Sequence, residues 1–345
     1  MQLHHQAYEL RLRDPFRIAK GVRSVQPSVI LALGSNGRTG YGEASAINYY
    51  GQSTARTQRV LEMLRPKIEA SAFDSPAALY QRLLPYVGTY PFVQAALDVA
   101  AHDLHARLRG VPLQRNLLER LPNALYARRQ NRVTSFTIGI DTAARMIEKI
   151  VARPWPVYKI KLGTDDDLGL LRQLRAVTNS PFRVDANEAW TAAQTIDYSK
   201  TLQSLGVELI EQPLPAADWE GMREVVRRSH LPVIADESCQ GEADVARCAG
   251  HFHGINLKLS KCGGLTPALR MIAAARAAGL LVMAGCMVES TVGIAPLAHL
   301  LPLLDYVDMD GPLLLTNDPA TGIDFQDGGA VISARPGTGV SLRSD

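Results

Sequence analysis

Between about residue 130 and residue 310 the chain repeats one unit, a short apolar run followed by a helical stretch, and this repeat constrains the fold more than any other feature. Three of the runs close on acids spaced 26 and 25 residues apart: Phe182-Arg183-Val184-Asp185, Val207-Glu208-Leu209-Ile210-Glu211 and Pro232-Val233-Ile234-Ala235-Asp236. Short, β-branched runs bounded by turn residues read as buried parallel strands, and a period near 25 is one βα unit. The full series of strand candidates ends near Ile140, Lys161, Asp185, Glu211, Asp236, Lys258, Cys286 and Asp310. Eight such alternations predict a closed barrel, with right-handed crossovers fixing its sense. The intervening stretches have amphipathic spacing, as in residues 268–278, which end at Gly279 as a helix C-cap should.

The chain has 345 residues, more than the roughly 250 of a bare (β/α)8 barrel. The excess lies mainly in front. Residues 1–128 offer strands (6–12, 28–33) and then helices (55–68, 92–108), an α+β domain placed before a barrel spanning 129–318. The tail, 319–345, returns to short Gly-punctuated strands such as Ala330-Val331-Ile332-Ser333 and is expected to fold back onto the first domain. A formal charge of +3, from 37 basic against 34 acidic residues, is too small and too evenly spread to imply nucleic acid or an anionic membrane as partner. A small-molecule ligand is expected. The first 16 residues carry no apolar core of signal-peptide length, and no stretch approaches the roughly 18 apolar residues of a membrane span, so the default location is cytoplasmic. Cys239, Cys248, Cys262 and Cys286 form no Cys-x-x-Cys pair and read as free thiols. A homo-oligomer is compatible with everything above, and nothing in the sequence fixes one.

In barrels the chemistry sits at the carboxy ends of the strands, where these charged residues fall. Asp185, Glu211 and Asp236, from three adjacent strands, suit an oxygen-ligated divalent ion, most simply Mg2+ and also Mn2+. If such an ion receives a substrate carboxylate, loss of the neighbouring α-proton gives an enolate that the ion stabilises. Lysines flank the acids. Lys159 and Lys161 share one face of a strand, and Lys258 arrives from the opposite side of the barrel. A lysine can act as a base only when its pKa falls from about 10.4. Lys161 is expected to carry the proton, with Lys159 depressing its pKa and helping to bind a substrate oxygen, and Lys258 to be the second acid/base. Lys261 reads as a structural ion-pair partner, and Gly263-Gly264 as only a faint phosphate signal. His102 and His105 read as packing or surface residues on a helix, and His251 and His253 fall at the wrong end of a strand for the site.

The set Lys159-Ile160-Lys161, Asp185-Ala186-Asn187-Glu188-Ala189-Trp190, Glu211-Gln212-Pro213, Asp236-Glu237-Ser238 and Lys258-Leu259-Ser260-Lys261 with Gly263-Gly264 resembles the muconate-lactonizing-enzyme subgroup of the enolase superfamily. The helix over residues 96–104 is similar to that subgroup's capping-domain helix. The resemblance implies an α/β chain: a (β/α)7β TIM-like barrel under an α+β capping domain built from the N-terminal region and the tail. It also implies Lys161 and Lys258, rather than Lys261, as the catalytic pair, and specificity set by capping-domain loops. Asp308-Met309-Asp310 is similar to the Asp-x-Asp of dipeptide epimerases of the L-Ala-D/L-Glu type, in which the first aspartate binds the substrate α-ammonium. The physics agrees, because a buried cation must find a carboxylate. Asp310 is a second substrate-binding candidate, with bracing of the last strand as its plainer role.

The expected activity is therefore a Mg-dependent epimerisation that inverts the Cα of the second residue of an L,L-dipeptide by two-base proton transfer, with L-Ala-L-Glu the first candidate substrate. Arg23 is the candidate partner for an acidic second side chain, with Arg17 and Lys20 its rivals. Thr137, Cys286 and Met287 are expected to line the pocket. The alternatives are N-acylamino-acid racemisation, cycloisomerisation, a dipeptide epimerase preferring hydrophobic or cationic second residues, or a non-catalytic binder of carboxylate ligands.

Overall fold

The computed structural model describes residues 1–18, 21–119, 121–127 and 133–343. The chain opens with a three-stranded antiparallel sheet in sequential order: β1 (Gln2–Ile18), β2 (Gly21–Ser35) and β3 (Arg38–Ser45). Strand alternation turns Leu3, Val29, Leu31 and Leu33 into the core. The register of β1 on β2 shifts between Arg11 and Phe16, and beyond that shift the two strands run on as a hairpin past the sheet. Three helices follow: α1 (Thr54–Glu69) and α3 (Pro91–Leu108) pack on the sheet, and α2 (Pro76–Val87) packs on α3. Ser53 and Ser75 cap the first two through their side chains. The sequence does not announce β3, whose Arg38-Thr39-Gly40-Tyr41-Gly42 start reads as a turn. Its glycines serve close packing: a Cβ on Gly42 would stand 1.9 Å from the Ala96 carbonyl oxygen of α3, so only glycine lets helix and strand meet. The short α4 (Leu113–Leu118) follows.

The barrel is an eight-stranded sheet in sequential order: β4 (Phe136–Ile138), β5 (Tyr158–Lys161), β6 (Phe182–Asp185), β7 (Val207–Glu211), β8 (Val233–Ala235), β9 (Gly254–Leu257), β10 (Leu281–Ala284) and β11 (Tyr306–Val307). All pairings are parallel. Closure comes from a parallel bridge between Thr134 and Val307. Its crossovers are α5 (Ala143–Ala152), α6 (Asp167–Arg175), α7 (Ala192–Ser204), α8 (Trp219–Arg228), α9 (Glu242–Cys248), the pair α10 (Leu259–Cys262) and α11 (Leu265–Ala277), and α12 (Thr291–Ala298). After β11 a single 3-10 turn, Gly311–Leu314, stands where an eighth helix would begin, which makes the barrel (β/α)7β.

The tail forms β12 (Ala320–Thr321), paired with β15 (Ser341–Leu342), and a hairpin of β13 (Ile323–Gln326) with β14 (Gly329–Ile332). It touches both parts of the molecule. Leu113 N donates to Gly337 O (2.7 Å) and Arg107 Nη2 to Val340 O (2.7 Å), while Thr134 N donates to Gly328 O (2.8 Å). The expected boundary at residues 128/129 lies outside the described residues. Among those described, no helix is long and apolar enough to cross a membrane.

Candidate active site

Strand register brings the charged residues to one level. Lys161 lies opposite Asp185 on β6, and Asp185 opposite Glu211 on β7. Lys161 Nζ donates to Asp185 Oδ2 (2.6 Å) and Asn187 Oδ1 (3.3 Å). Lys159, two residues earlier on the same face, sits among three acids: 2.7 Å from Glu211 Oε2, 2.8 Å from Asp308 Oδ2 and 3.2 Å from Asp185 Oδ2. Lys258 follows β9, four strands round the eight-stranded barrel from β5, and reaches Asp236 Oδ2 at 2.7 Å. Lys261 holds the other oxygen, Asp236 Oδ1, at 2.5 Å and also donates to the Asp236 and Cys239 carbonyls; it is an ion-pair partner, as its sequence position implied.

Burial alone would drive these ammonium groups neutral, but the acids outweigh it. Asp308, Glu211 and Asp185 hold Lys159 well above the ordinary lysine range, and Asp236 with Glu211 does the same for Lys258. Lys258 as it stands is therefore a charged ion-pair partner of Asp236. Conversely, Asp185 lies below the usual carboxylate range, since Lys161 and Lys159 overcome its burial, and Asp236 is held down by Lys258 and Lys261. Glu211 and Asp310 go the other way. Burial, reinforced by Asp185 for the one and Asp308 for the other, pushes each up to about 7.

Several supporting side chains escaped the sequence reading. Gln212 Oε1 accepts from the backbone N–H groups of Asp236 (2.9 Å) and Ser238 (3.1 Å), and Asn256 Nδ2 donates to Glu211 Oε1 (2.9 Å). Ser135 Oγ donates to Asp308 Oδ1 (2.9 Å). Period-two alternation would have found two of them, because Asn256 stands two residues before Lys258 and Ser135 two before Thr137. Asn187, Glu188 and Gln212 adopt left-handed backbone, with φ of 45°, 72° and 32°, a cost of roughly 1 kcal/mol or more each that functional sites commonly bear.

Whether this set could hold a divalent ion is a matter of charge and donors. Among the described residues no three acidic, imidazole or thiol side chains converge closely enough to hold an ion as they stand, because lysine ammonium groups stand between the acids. The set nonetheless fits a dication. Six buried carboxylates (Asp185, Glu211, Asp236, Glu237, Asp308, Asp310) face four buried lysines (Lys159, Lys161, Lys258, Lys261), so with every acid ionised the cluster lacks two positive charges. Glu211 Oε2 is buried with no aligned hydrogen-bond donor, although the Lys159 charge lies near it.

The cavity over this cluster is small, about 60 Å³. A depression of about 520 Å³ lies outside the barrel beside the 3-10 turn, but its charges largely answer one another, as in Arg145–Glu148 and Lys149–Asp141; the buried lysines and acids line the smaller one. Thr137, Cys286, Met287 and Arg23 all line the small cavity, together with Phe16, Ile47 and Tyr49 of the first sheet and its following loop. Arg17 does not, and Lys20 lies outside the described residues. Asp310 Oδ2 accepts from Thr137 N (2.6 Å) and so ties the last strand to the first. The Gly263-Gly264 turn does meet an anion, but an internal one. Asp98 of α3 accepts from Thr266 N (2.7 Å) and Thr266 Oγ1 (2.6 Å) at the start of α11. His102 packs there too, 2.9 Å from Thr266 Oγ1, and His253 Nδ1 accepts from Val233 N at the entry side of β8, away from the lysines.

The profile described as mandelate racemase / muconate lactonizing enzyme, N-terminal domain, matches residues 3–118, and that described as enolase C-terminal domain-like matches 141–345. An L-Ala-D/L-amino acid epimerase of Flavobacterium johnsoniae is 47% identical over 99% of this chain and 100% of its own length. The L-Ala-D/L-Glu epimerase of Bacillus subtilis, solved with substrate bound, superposes with a TM-score of 0.90 at 25% identity, covering 99% of this chain and 98% of its own. The dipeptide epimerase of Cytophaga hutchinsonii, complexed with Mg and D-Ala-L-Val, does so at 0.91 and 25%, covering 100% and 96%. With both parts of its length matched, the chain belongs to the enolase superfamily, in the mandelate racemase / muconate lactonizing enzyme group.

Proposed function

We propose that this protein is a Mg2+-dependent dipeptide epimerase that inverts the Cα of the second residue of an L,L-dipeptide. The observation that carries the reading is the placement of Lys161 and Lys258 on opposite sides of the barrel with the acid cluster between them. Two bases on opposite faces of one carbon are what inversion needs, since one removes the α-proton and the other delivers a proton to the far side. Asp185, Glu211 and Asp236 would hold the ion, and Mg in structures of related dipeptide epimerases supports its identity. When bound, it supplies Lewis-acid stabilisation for charge that develops on the substrate carboxylate.

The remaining residues bind and orient. Asp308, kept ionised by Lys159 and hydrogen-bonded by Ser135, takes the substrate α-ammonium. Lys159, released from Asp308 by that ammonium, is free to meet a carboxylate oxygen of the substrate. Arg23 faces the second residue's side chain, which makes L-Ala-L-Glu the first candidate, while Phe16, Ile47 and Tyr49 give apolar wall for other side chains. The breadth suits relatives described as L-Ala-D/L-amino acid and L-Ala-D/L-Glu epimerases. Four free thiols suit a reducing compartment such as the cytoplasm. The test is proton NMR of the Mg2+-loaded enzyme with pooled L,L-dipeptides in heavy water. Loss of the second-residue α-proton with appearance of the L,D diastereomer supports the proposal; a pool that exchanges no α-proton refutes it.

A further inference from the structure

Arg23 is held in the cavity by a neutral side chain, and that has a consequence for substrate choice. Its Nη1 donates to Oε1 of Gln26. Gln26 is fully buried, and its amide nitrogen donates to Pro27 O (2.7 Å) and Ala46 O (2.9 Å). Both amide hydrogens are thus committed, and a flipped amide would set its oxygen against two carbonyl oxygens. Oε1 is left facing the guanidinium. Among the described residues no carboxylate pairs with Arg23. A glutamate at position 26 would hold the arginine by cancelling its charge, whereas the glutamine holds it by a dipole and leaves the charge whole. The same amide joins two walls of the cavity, because Ala46 immediately precedes Ile47 and the loop bearing Tyr49.

We propose that Gln26 is the positioning residue for side-chain selection: it presents Arg23 to the second residue of the dipeptide as an oriented, unneutralised cation, and so creates the preference for an acidic side chain. This rests on the dipeptide epimerase reading and adds the group through which the preference acts. The guanidinium keeps further N–H groups for a bidentate carboxylate. Its orientation is fixed before substrate arrives, which cuts the ordering cost of binding.

The test compares kcat/KM for L-Ala-L-Glu and L-Ala-L-Leu in the wild type, Gln26→Met, Arg23→Met and the double variant, all loaded with Mg2+. Methionine keeps the length of glutamine and buries without a charge. The expected result is that Gln26→Met lowers the Glu/Leu ratio at least fivefold, chiefly through KM for L-Ala-L-Glu, and lowers it no further when Arg23 is already methionine. A ratio unchanged in Gln26→Met overturns the inference, and so does an equal fall in the Arg23→Met background, which would mark Gln26 as merely structural. Wild-type enzyme that turns over neither of these nor any other L,L-dipeptide of the pool overturns the epimerase reading and this inference with it; turnover confined to other dipeptides, or turnover of both with an unchanged ratio, overturns this inference alone.

Discussion

The barrel rim and the capping hairpin both face the same cavity, but they are built differently. The rim's charged groups are carried by strands whose neighbours fix their height: Lys161, Asp185 and Glu211 share one register across three strands, and each is buried and bonded to another side chain. The paired ends of β1 and β2, residues 14–18 and 21–25, reach the cavity beyond the register shift in β1, with Arg23 anchored by one glutamine. Its neighbours Arg17 and Ser24 are exposed. The rim is over-determined and the hairpin is tethered. In such an arrangement the proton chemistry resists change while the choice of side chain can be retuned cheaply, which is the division expected when function sits on loops carried by a rigid scaffold.

The largest expected effects break the rim. Lys258→Ala removes one of two opposed proton carriers and should lower epimerisation by at least about a thousandfold, while one epimer still exchanges its α-proton with solvent at Lys161; NMR in heavy water separates the two readouts. Lys161→Ala should show the converse, and full activity in either variant would break the two-base assignment. Exhaustive chelation should abolish turnover and added Mg2+ restore it, as read by the same assay. Next comes Asp308→Asn, which leaves a substrate ammonium without its carboxylate. A loss of about a hundredfold in kcat/KM is expected. That variant should spare N-acylated substrates, which carry no such cation, and a dipeptide rate within a few fold of the wild type would remove Asp308 from substrate binding.

How much of this was legible follows from the same contrast. The carboxylate and lysine positions could be read because a parallel strand announces itself by a short apolar run and puts its functional residue at the end. All eight strands end within three residues of the positions read from the sequence, and Lys161, Asp185 and Glu211 are themselves the final residues of β5, β6 and β7. Gln212 and Gln26 could not be read in this way. Their roles depend on which way a buried amide points, and that is fixed by backbone carbonyls that no pattern of apolar runs announces: Pro27 and Ala46 for Gln26, Leu214 for Gln212. β3 was invisible for a related reason, since its glycines look like a turn until α3 is laid across them. The Gly263-Gly264 pair was legible as a place for an anion but not for this one, because Asp98 is about 165 residues away in sequence.

That pair is where the cap grips the rim, and breaking it should cost stability before chemistry. Gly264 has φ of 114°, and a Cβ there would stand 2.5 Å from Asp98 Oδ2. Gly264→Ala combines a backbone conformation that L side chains avoid with a clash against a buried carboxylate. It should destabilise the protein by about 2–3 kcal/mol, measured by denaturant unfolding. Lys258 begins the segment that leads into this turn, so activity should fall as well if cap docking helps to hold that lysine; full stability would show that the cap and the turn are not tightly seated.

The smallest effect is a pH slope. Burial pushes the Asp98 carboxyl up to about 7, against the Thr266 and Leu265 donors that favour its charged form. A carboxyl whose folded pKa lies above its unfolded value near 4 contributes stability that is complete below about pH 4 and is lost as pH rises through about 7. Its neighbours add little to that slope. His102 is held down to about 4 by burial and so stays neutral above pH 5, and Arg270 is paired with Glu242 at 2.6 Å. Wild-type protein should therefore lose about 1–2 kcal/mol relative to Asp98→Asn between pH 5 and pH 8, read as the change in the difference between their unfolding free energies. A difference that stays flat across that window would mean that Thr266 and the α11 N-terminus keep Asp98 ionised throughout, and that the cap is fastened to the Lys258 segment by a charge rather than by a shared proton.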